Sequence, residues 1–409
     1  MSAFPSFIPP RSFPRGMLSG FRLAVLLTVI SCLSVSAQSR SGAPSSFDAL
    51  SAKADAARDA DDLDQAVALY KRALTLRPKW AEGWWSLGTI YYDRSAYPDA
   101  AHAFQRLIAT DPNNGAGQLM LGLCQFELGQ DEAALQNLQA GHRIGVVKDP
   151  QLRRVVLYHE GLLLLRQHKF SSAEKALSLL AREDVEDQSA AMALGMSVLL
   201  IPPADVPPEG STGREIILRA GRAETLGVAE KLDEAKKMYA SAIEMGKDFP
   251  NLHYAYGRFL LEFHEADEAL AQFQEEIQNN RGHVQSYLEI AAVNYQVDSA
   301  AGVQYAEKAV RLDPSAPFGH YLLGLLYLDT GEYEKSVAEL EIARKSFLDK
   351  PEVYFALGAA YARLGRGEDA ARARDIFKRL SAQNEQATPD TYGNAATSLQ
   401  PPQEPDNPK

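Results

Sequence analysis

Small residues recur along the chain at a fixed interval, and apolar residues gather around each of them at helical spacing. Ala54, Gly88 and Gly122 are 34 residues apart, as are Gly161 and Gly195, then Ala223, Gly257 and Ala291, then Gly324 and Gly358. A second small residue follows twelve positions later at Ala66, Ala100, Ala134, Ala173, Ala235, Ala269, Ser336 and Ala370. In the run from Trp84 through Leu87 and Gly88 to Tyr91, offsets of three, four and seven put the four side chains on one helical stripe. Ala100, Phe104 and Leu107 form the matching stripe of a second helix. The pattern predicts antiparallel helix pairs. Where the two helices cross, a glycine faces an alanine so that the backbones approach, and the large residues fill the space around the crossing. Pro112 stops the second helix, because its ring cannot continue one and the residue before it leaves the α region. Each pair leaves an apolar face uncovered, and stacking the next pair buries it.

Residues Trp84, Leu87, Gly88, Tyr91, Ala100, Phe104 and Pro112 resemble the tetratricopeptide repeat, whose 34-residue pattern they carry almost complete. A first unit supplies Ala66, Tyr70, Ala73 and Pro78, with a weak first helix around 50–57; Leu121, Gly122, Ala134 and Leu138 form a third, and Leu157, Gly161, Leu164, Ala173 and Leu177 a fourth. Later units read Tyr256, Gly257, Ala269 and Phe273, then Leu323, Gly324, Tyr327, Ser336 and Leu340, then Tyr354, Leu357, Gly358, Tyr361 and Ala370; a weaker one surrounds Tyr287. The resemblance covers residues 47–380. It implies an all-α fold, a right-handed α-solenoid of stacked antiparallel helix pairs, with about nine to ten units in that length.

The pattern breaks once. Twelve residues after Gly195 stands Pro207, within a proline-rich stretch from Ile201 to Gly210. Helix is excluded there, an extended polyproline-like loop is expected, and the helix from about Ser189 to Leu200 is left without its usual partner. The domain plan is therefore a signal peptide at 1–37, a linker at 38–46, a first repeat block at 47–200, the loop at 201–213, a second block at 214–380 and a disordered tail at 381–409. The loop reads either as an insertion between blocks or as a hinge or docking segment. Arg372, Arg374, Lys378 and Arg379 give the last repeat the polar outer face that a terminal repeat needs.

The N-terminus reads as an address. Arg22 precedes an eleven-residue apolar run, Leu23 to Leu33, and the small-residue exit Val35-Ser36-Ala37 follows it. That is the order of a secretory signal, and the run is too short to span a bilayer at about 20 residues. Met17 offers a translation start that leaves the signal intact. Cleavage after Ala37 leaves Gln38 first and an exported, periplasmic or secreted protein; the alternatives that hold the protein at a membrane are a lipobox around Val29-Ile30-Ser31-Cys32, with Cys32 lipidated, and an uncleaved signal that stays as an anchor.

Charge and chemistry narrow the function. The net charge is −11, and residues 1–37 hold Arg11, Arg15 and Arg22 but no acid, so the chain without them is more acidic still. Such a surface repels phosphate backbones, and nucleic acid is not an expected partner. No phosphate-binding loop, Gly-x-Gly-x-x-Gly, His-Glu-x-x-His or Gly-x-Ser-x-Gly motif occurs, so no catalytic residue, cofactor site or metal site is expected. His159 and His168 are off-stripe for paired ligands, and His264 sits beside Glu262 and Glu265 at a loop entry as a solvated residue. Cys124, two residues after Gly122, reads as packing. The acidic runs Asp59 to Asp64 and Glu183 to Asp187 lack the oxygen spacing and glycine of a calcium loop and read as helix capping and solvated charge.

What remains is a surface. The resemblance implies that the first helices line a concave side that accepts a peptide or helix. Those helices carry a second apolar stripe one residue from the core stripe: Trp85 and Tyr92, Leu119 and Phe126, Tyr158 and Leu162, Tyr254 and Leu261, Tyr321 and Leu325, and Phe355. Family members that grip carboxylate termini use Lys, Arg and Asn there, and this chain uses aromatics. The expected function is a non-catalytic, extracytoplasmic scaffold that binds a partner protein or peptide, with Trp85, Tyr92, Phe126, Tyr158, Tyr254, Tyr321 and Phe355 as its groove, in an envelope assembly or secretion complex. The alternative is a noncatalytic subunit for envelope glycan or polysaccharide handling, in which the same aromatics stack on sugars. A competing role for these rings is simply to pack one first helix on the next.

Overall fold

The computed structural model describes residues 46–144, 150–183 and 187–386. The signal sequence with Arg22, Cys32 and Ala37, most of the linker, the middle of the second acidic run and the tail from 387 lie outside them. Among the described residues the chain is all-helical, with 19 α-helices, one 3-10 turn and no strand. It divides into two compact units between Arg166 and Gln167, inside the fourth repeat; the loop at 201–213 lies within the second unit.

The first unit contains α1 (Ser46–Asp59), α2 (Leu63–Leu76), α3 (Ala81–Asp93), α4 (Tyr97–Thr110), α5 (Gly115–Glu127), α6 (Asp131–Ile144) and α7 (Pro150–Arg166). Helices α1 and α2, α3 and α4, and α5 and α6 pack as pairs, and each pair stacks on the next. One buried cluster runs through Ala54, Tyr70, Leu87, Ile90 and Ala103, with Trp80 and Trp84 against it.

The second unit contains α8 (Phe170–Ala181), α9 (Gln188–Val198), α10 (Thr212–Val228), α11 (Leu232–Met245), α12 (Leu252–Glu262), α13 (Ala266–Asn279), α14 (Val284–Asn294), α15 (Ser299–Leu312), α16 (Pro317–Asp329), α17 (Tyr333–Arg344), α18 (Pro351–Arg363) and α19 (Gly367–Gln386). From α10 onward successive helices pair as the spacing predicts. The terminal helix α19 runs on through Ser381, where the tail was expected to begin, to Gln386.

Local chemistry ends and starts these helices at the predicted places. The side chains of Asp62, Asn114, Asp187 and Asp298 accept from the free N–H groups of the helices they precede, at 2.8–3.2 Å. Such a cap is worth about 1 kcal/mol. Two of these aspartates belong to the acidic runs, and Asp64 of the first run pairs with Arg94 at 2.7 Å. Many first helices stop at a residue in the left-handed region: Asp61, Ser95 and Gly129 in the first unit, Glu230, His264, Gln296, Gly331 and Gly365 in the second. That turn lets the next N–H reach back to a carbonyl of the helix end, as Ala96 does to Tyr91 at 2.9 Å and Gln130 to Gln125 at 2.8 Å.

The crossings differ in detail from the expected glycine-on-alanine contact. A Cβ placed at Gly88 would lie 2.8 Å from the Phe104 ring, and one at Gly257 2.5 Å from Phe273. At Gly122 and Gly324 the facing side chains are Leu138 and Leu340. The residue that fills each crossing is thus the large one a helical turn beyond the small one. The small residue sits by the glycine's carbonyl, where Ser336 Oγ donates to Gly324 O at 2.7 Å.

The proline-rich break has a different outcome from the one its sequence implies. Pro202 and Val206 are extended, with the short turn Pro203–Asp205 between them. Helix α9, however, is not left without a partner: it lies along α10, across the loop. Two glycines make the approach. A Cβ at Gly221 would stand 1.7 Å from Ala191 O, and one at Gly195 1.9 Å from Ile217 O, so each helix presses on the other's backbone. Helix α8 packs on α9 and also reaches α10.

Candidate functional site

The seven aromatics of the second stripe all stand on alternate helices, and neighbours cover them unequally. In the first unit, Trp85 of α3 is half-buried with its ring edge-on to Phe104 at 5.8 Å, and Tyr92 is half-buried against Tyr97 at 5.6 Å. Phe126 of α5 is 7% exposed. It meets His159 of α7 edge-on at 4.6 Å, and the Arg166 guanidinium lies 4.5 Å from its ring centroid. Tyr158 is half-buried beside His159.

In the second unit, Tyr254 of α12 and Tyr321 of α16 are buried. Tyr254 packs between Phe273 at 6.1 Å and His283 at 5.0 Å. Phe355 of α18 is half-buried on Phe377 of α19 at 5.4 Å. Trp85, Tyr92, Tyr158 and Phe355 therefore stay partly exposed, although the Tyr92 hydroxyl is desolvated, while Phe126, Tyr254 and Tyr321 spend their surface on the protein's own helices.

Electrostatics around these rings follow from burial. The His159 imidazole is held down to about 4, chiefly by desolvation. It is neutral at ordinary pH and donates Nδ1–H to Val155 O at 2.7 Å. Burial raises the Glu127 carboxyl, against the pull of Arg166, which itself pairs with Asp131 at 2.9 Å. Burial also raises the phenols of Tyr92, Tyr254 and Tyr321, so all three are uncharged donors. The Cys124 thiol is buried and pushed up to about 12, again by burial, which leaves no thiolate nucleophile. His264 sits exposed in its left-handed turn. Among the described residues no group of three His, Cys, Asp or Glu side chains is arranged to hold a metal ion, and no helix is long and apolar enough to cross a membrane.

A polar constellation in the second unit escaped the reading of the sequence. Arg258 of α12 pairs with Glu174 of α8 at 3.1 Å. Tyr239 of α11 donates its hydroxyl to the buried Glu224 of α10. Glu262 of α12 and Glu289 of α14 complete the surroundings, with carboxyls raised first by burial. One signal was available: Glu224 and Arg258 each directly follow the small residue of their repeat, Ala223 and Gly257, and so share a register position. Glu174 gave none, because its repeat marks it as part of a second helix while its side chain reaches a first helix.

The tetratricopeptide repeat family matches residues 51–114, 86–142, 221–283 and 321–385, more than half of the chain. No curated protein matches it in sequence. Among solved structures, the chain is similar to MamA at 16% identity, over 40% of this chain and 97% of that one, with a TM-score of 0.38. YrrB, described as a TPR protein with an unusual peptide-binding site, is 15% identical over 42% of this chain and 92% of its own, TM-score 0.36. Yeast Tom70 is 13% identical over 82% and 84%, TM-score 0.34.

Proposed function

The chain belongs to the tetratricopeptide repeat family, and from that premise we propose that it is an exported, non-catalytic scaffold that holds a partner protein or peptide on the face formed by its first helices. Family membership supports a protein-interaction role. The observation that carries the finer reading is the partial coverage of Trp85, Tyr92 and Tyr158, three large rings on two first helices of one unit, α3 and α7. Rings fixed on one side by the fold and open on the other lose little conformational freedom on binding, which is why aromatics dominate anchor positions. Phe126, buried on a first helix of the same unit, supports these rings from within. Export rests on the order of Arg22, the run Leu23 to Leu33 and Val35-Ser36-Ala37.

Cross-linking and capture from the native envelope, with the parent and with Trp85→Ala plus Tyr92→Ala compared side by side, tests the binding face. The double variant is expected to stay folded and to lose the cross-linked partner, with a cost in affinity of about 2 kcal/mol or more. An unchanged partner yield per folded molecule removes these two rings from the contact. Export is tested separately by N-terminal sequencing, which should start at Gln38, or at a lipid-modified Cys32. An intact leader on a cytoplasmic protein overturns it.

A further inference from the structure

Four carboxyl groups and one guanidinium gather where α8, α10, α12 and α14 come together, and among the described residues the guanidinium pairs directly with Glu174. Glu174 takes the Arg258 guanidinium at 3.1 and 3.5 Å. Glu224, with 9% of its surface exposed, is left with the Tyr239 hydroxyl as its hydrogen-bond donor. Against α10, helix α8 contributes Glu174, α9 carries no titratable side chain, α11 contributes Tyr239, and α12 contributes Arg258 and Glu262. Glu289 of α14 acts on Arg258 from beyond. Two of the ionisable groups facing Glu224 are thus acids, and the one cation is already engaged.

We propose that Glu224 is a proton-operated latch: carrying its proton, it seats α10 against α8 and α12, and losing that proton to water forces another negative charge beside Glu174 and Glu262 and loosens these helices. A buried carboxyl facing other acids is held as the neutral acid by desolvation and like charge. As a carboxylate it needs a counter-charge, and the nearby Arg258 guanidinium is shared with Glu174, which it already pairs. The cause of the shift is burial first, with Glu174 and Glu262 adding to it, and against the opposing pull of the Tyr239 hydroxyl and Arg258 they push Glu224 up to about 8. A carboxyl raised in the folded state binds its proton more tightly there than in the unfolded chain. Its stabilisation is therefore full below the ordinary carboxylate range and is lost as pH rises towards about 8. The latch concerns the fold of the second unit and stands whether or not a partner docks on it.

The experiment follows melting temperature and amide protection of the full chain from about pH 5 to about pH 9. The parent is expected to lose melting temperature steadily across that range, with protection falling in α8, α10 and α12 and unchanged in α16 to α19. Glu224→Gln, neutral and of the same shape, should remove the fall nearest pH about 8, leaving at lower pH what Glu262 and Glu289 contribute. Glu174→Gln, which removes a facing acid and frees Arg258, should move the loss to lower pH, and it decides the matter if Glu224→Gln does not fold. A flat parent profile, an unchanged fall nearest pH about 8 in Glu224→Gln, or a Glu174→Gln profile superimposed on the parent overturns the proposal.

Discussion

Gly88 and Gly358 occupy the same register position in repeats of nearly identical pattern, yet their surroundings differ. A methyl group at Gly88 meets the Phe104 ring, which is itself fully buried, whereas one at Gly358 finds the flexible stem of Arg374 at 3.4 Å, an ordinary contact. Gly88→Leu is expected to destabilise by about 1 to 3 kcal/mol or more through overpacking. Gly358→Ala should gain up to about 1 kcal/mol, because alanine restricts the unfolded chain and favours the helix. Urea titrations of the two variants beside the parent check both signs. The turn at Ser95 supplies a second residue-scale test. Its φ of 58 strains any residue with a Cβ, while the equivalent turns at Gly129, Gly331 and Gly365 already use glycine. Ser95→Gly should raise stability by about 0.5 to 1 kcal/mol, less than the full strain because glycine also loosens the unfolded chain. A lowered melting temperature would show that the serine hydroxyl matters more than its backbone.

At the scale of elements, the pairing of α9 with α10 is the departure from the repeat. Both crossing residues press on backbone rather than on side chains, so neither contact can be relieved by a rotamer change. Gly221→Ala should push the helices apart and cost about 3 kcal/mol or more. Gly195→Ala should behave alike, and the double variant should cost less than the two separate losses together, since one separation relieves both clashes. Chemical denaturation of the three variants makes that comparison. The loop that permits this pairing is anchored at its end: Ser211 Oγ donates to Pro208 O at 2.6 Å, and Asn251 Nδ2 donates to Leu199 O at 2.7 Å just before it.

For the whole molecule, contacts between neighbouring helices imply that damage stays local. In a repeat stack each element contacts little beyond its neighbours, so stability is a sum over adjacent interfaces. Gly88→Leu should therefore lower amide protection in α1 to α5 and leave α16 to α19 at parental values by hydrogen exchange. Protection lost throughout would mean that the chain melts as one cooperative body.

Much of this was legible in the sequence, and the reason is that helix pairing in a repeat is local. The residues that meet across a pair, such as Gly88 and Phe104 or Gly324 and Leu340, lie within one repeat of each other, so their spacing records the contact. Aspartates before the second helices and prolines after them mark the ends by rules that act within a turn or two. What only the tertiary structure decided involves residues that no fixed spacing connects. The proline-rich loop shifts the alternation of helices, so that α9 finds α10 and Glu174 of a second helix meets Arg258, 84 positions on. Stacking also decided which aromatics are covered: Tyr254 and Tyr321 share their place in the repeat with Trp85 and Phe355, and Phe126 shares its place with Tyr92, so they differ in what neighbouring helices place over them. Periodicity tells which way a side chain leaves its own helix, while the packing of whole helices determines what it meets there.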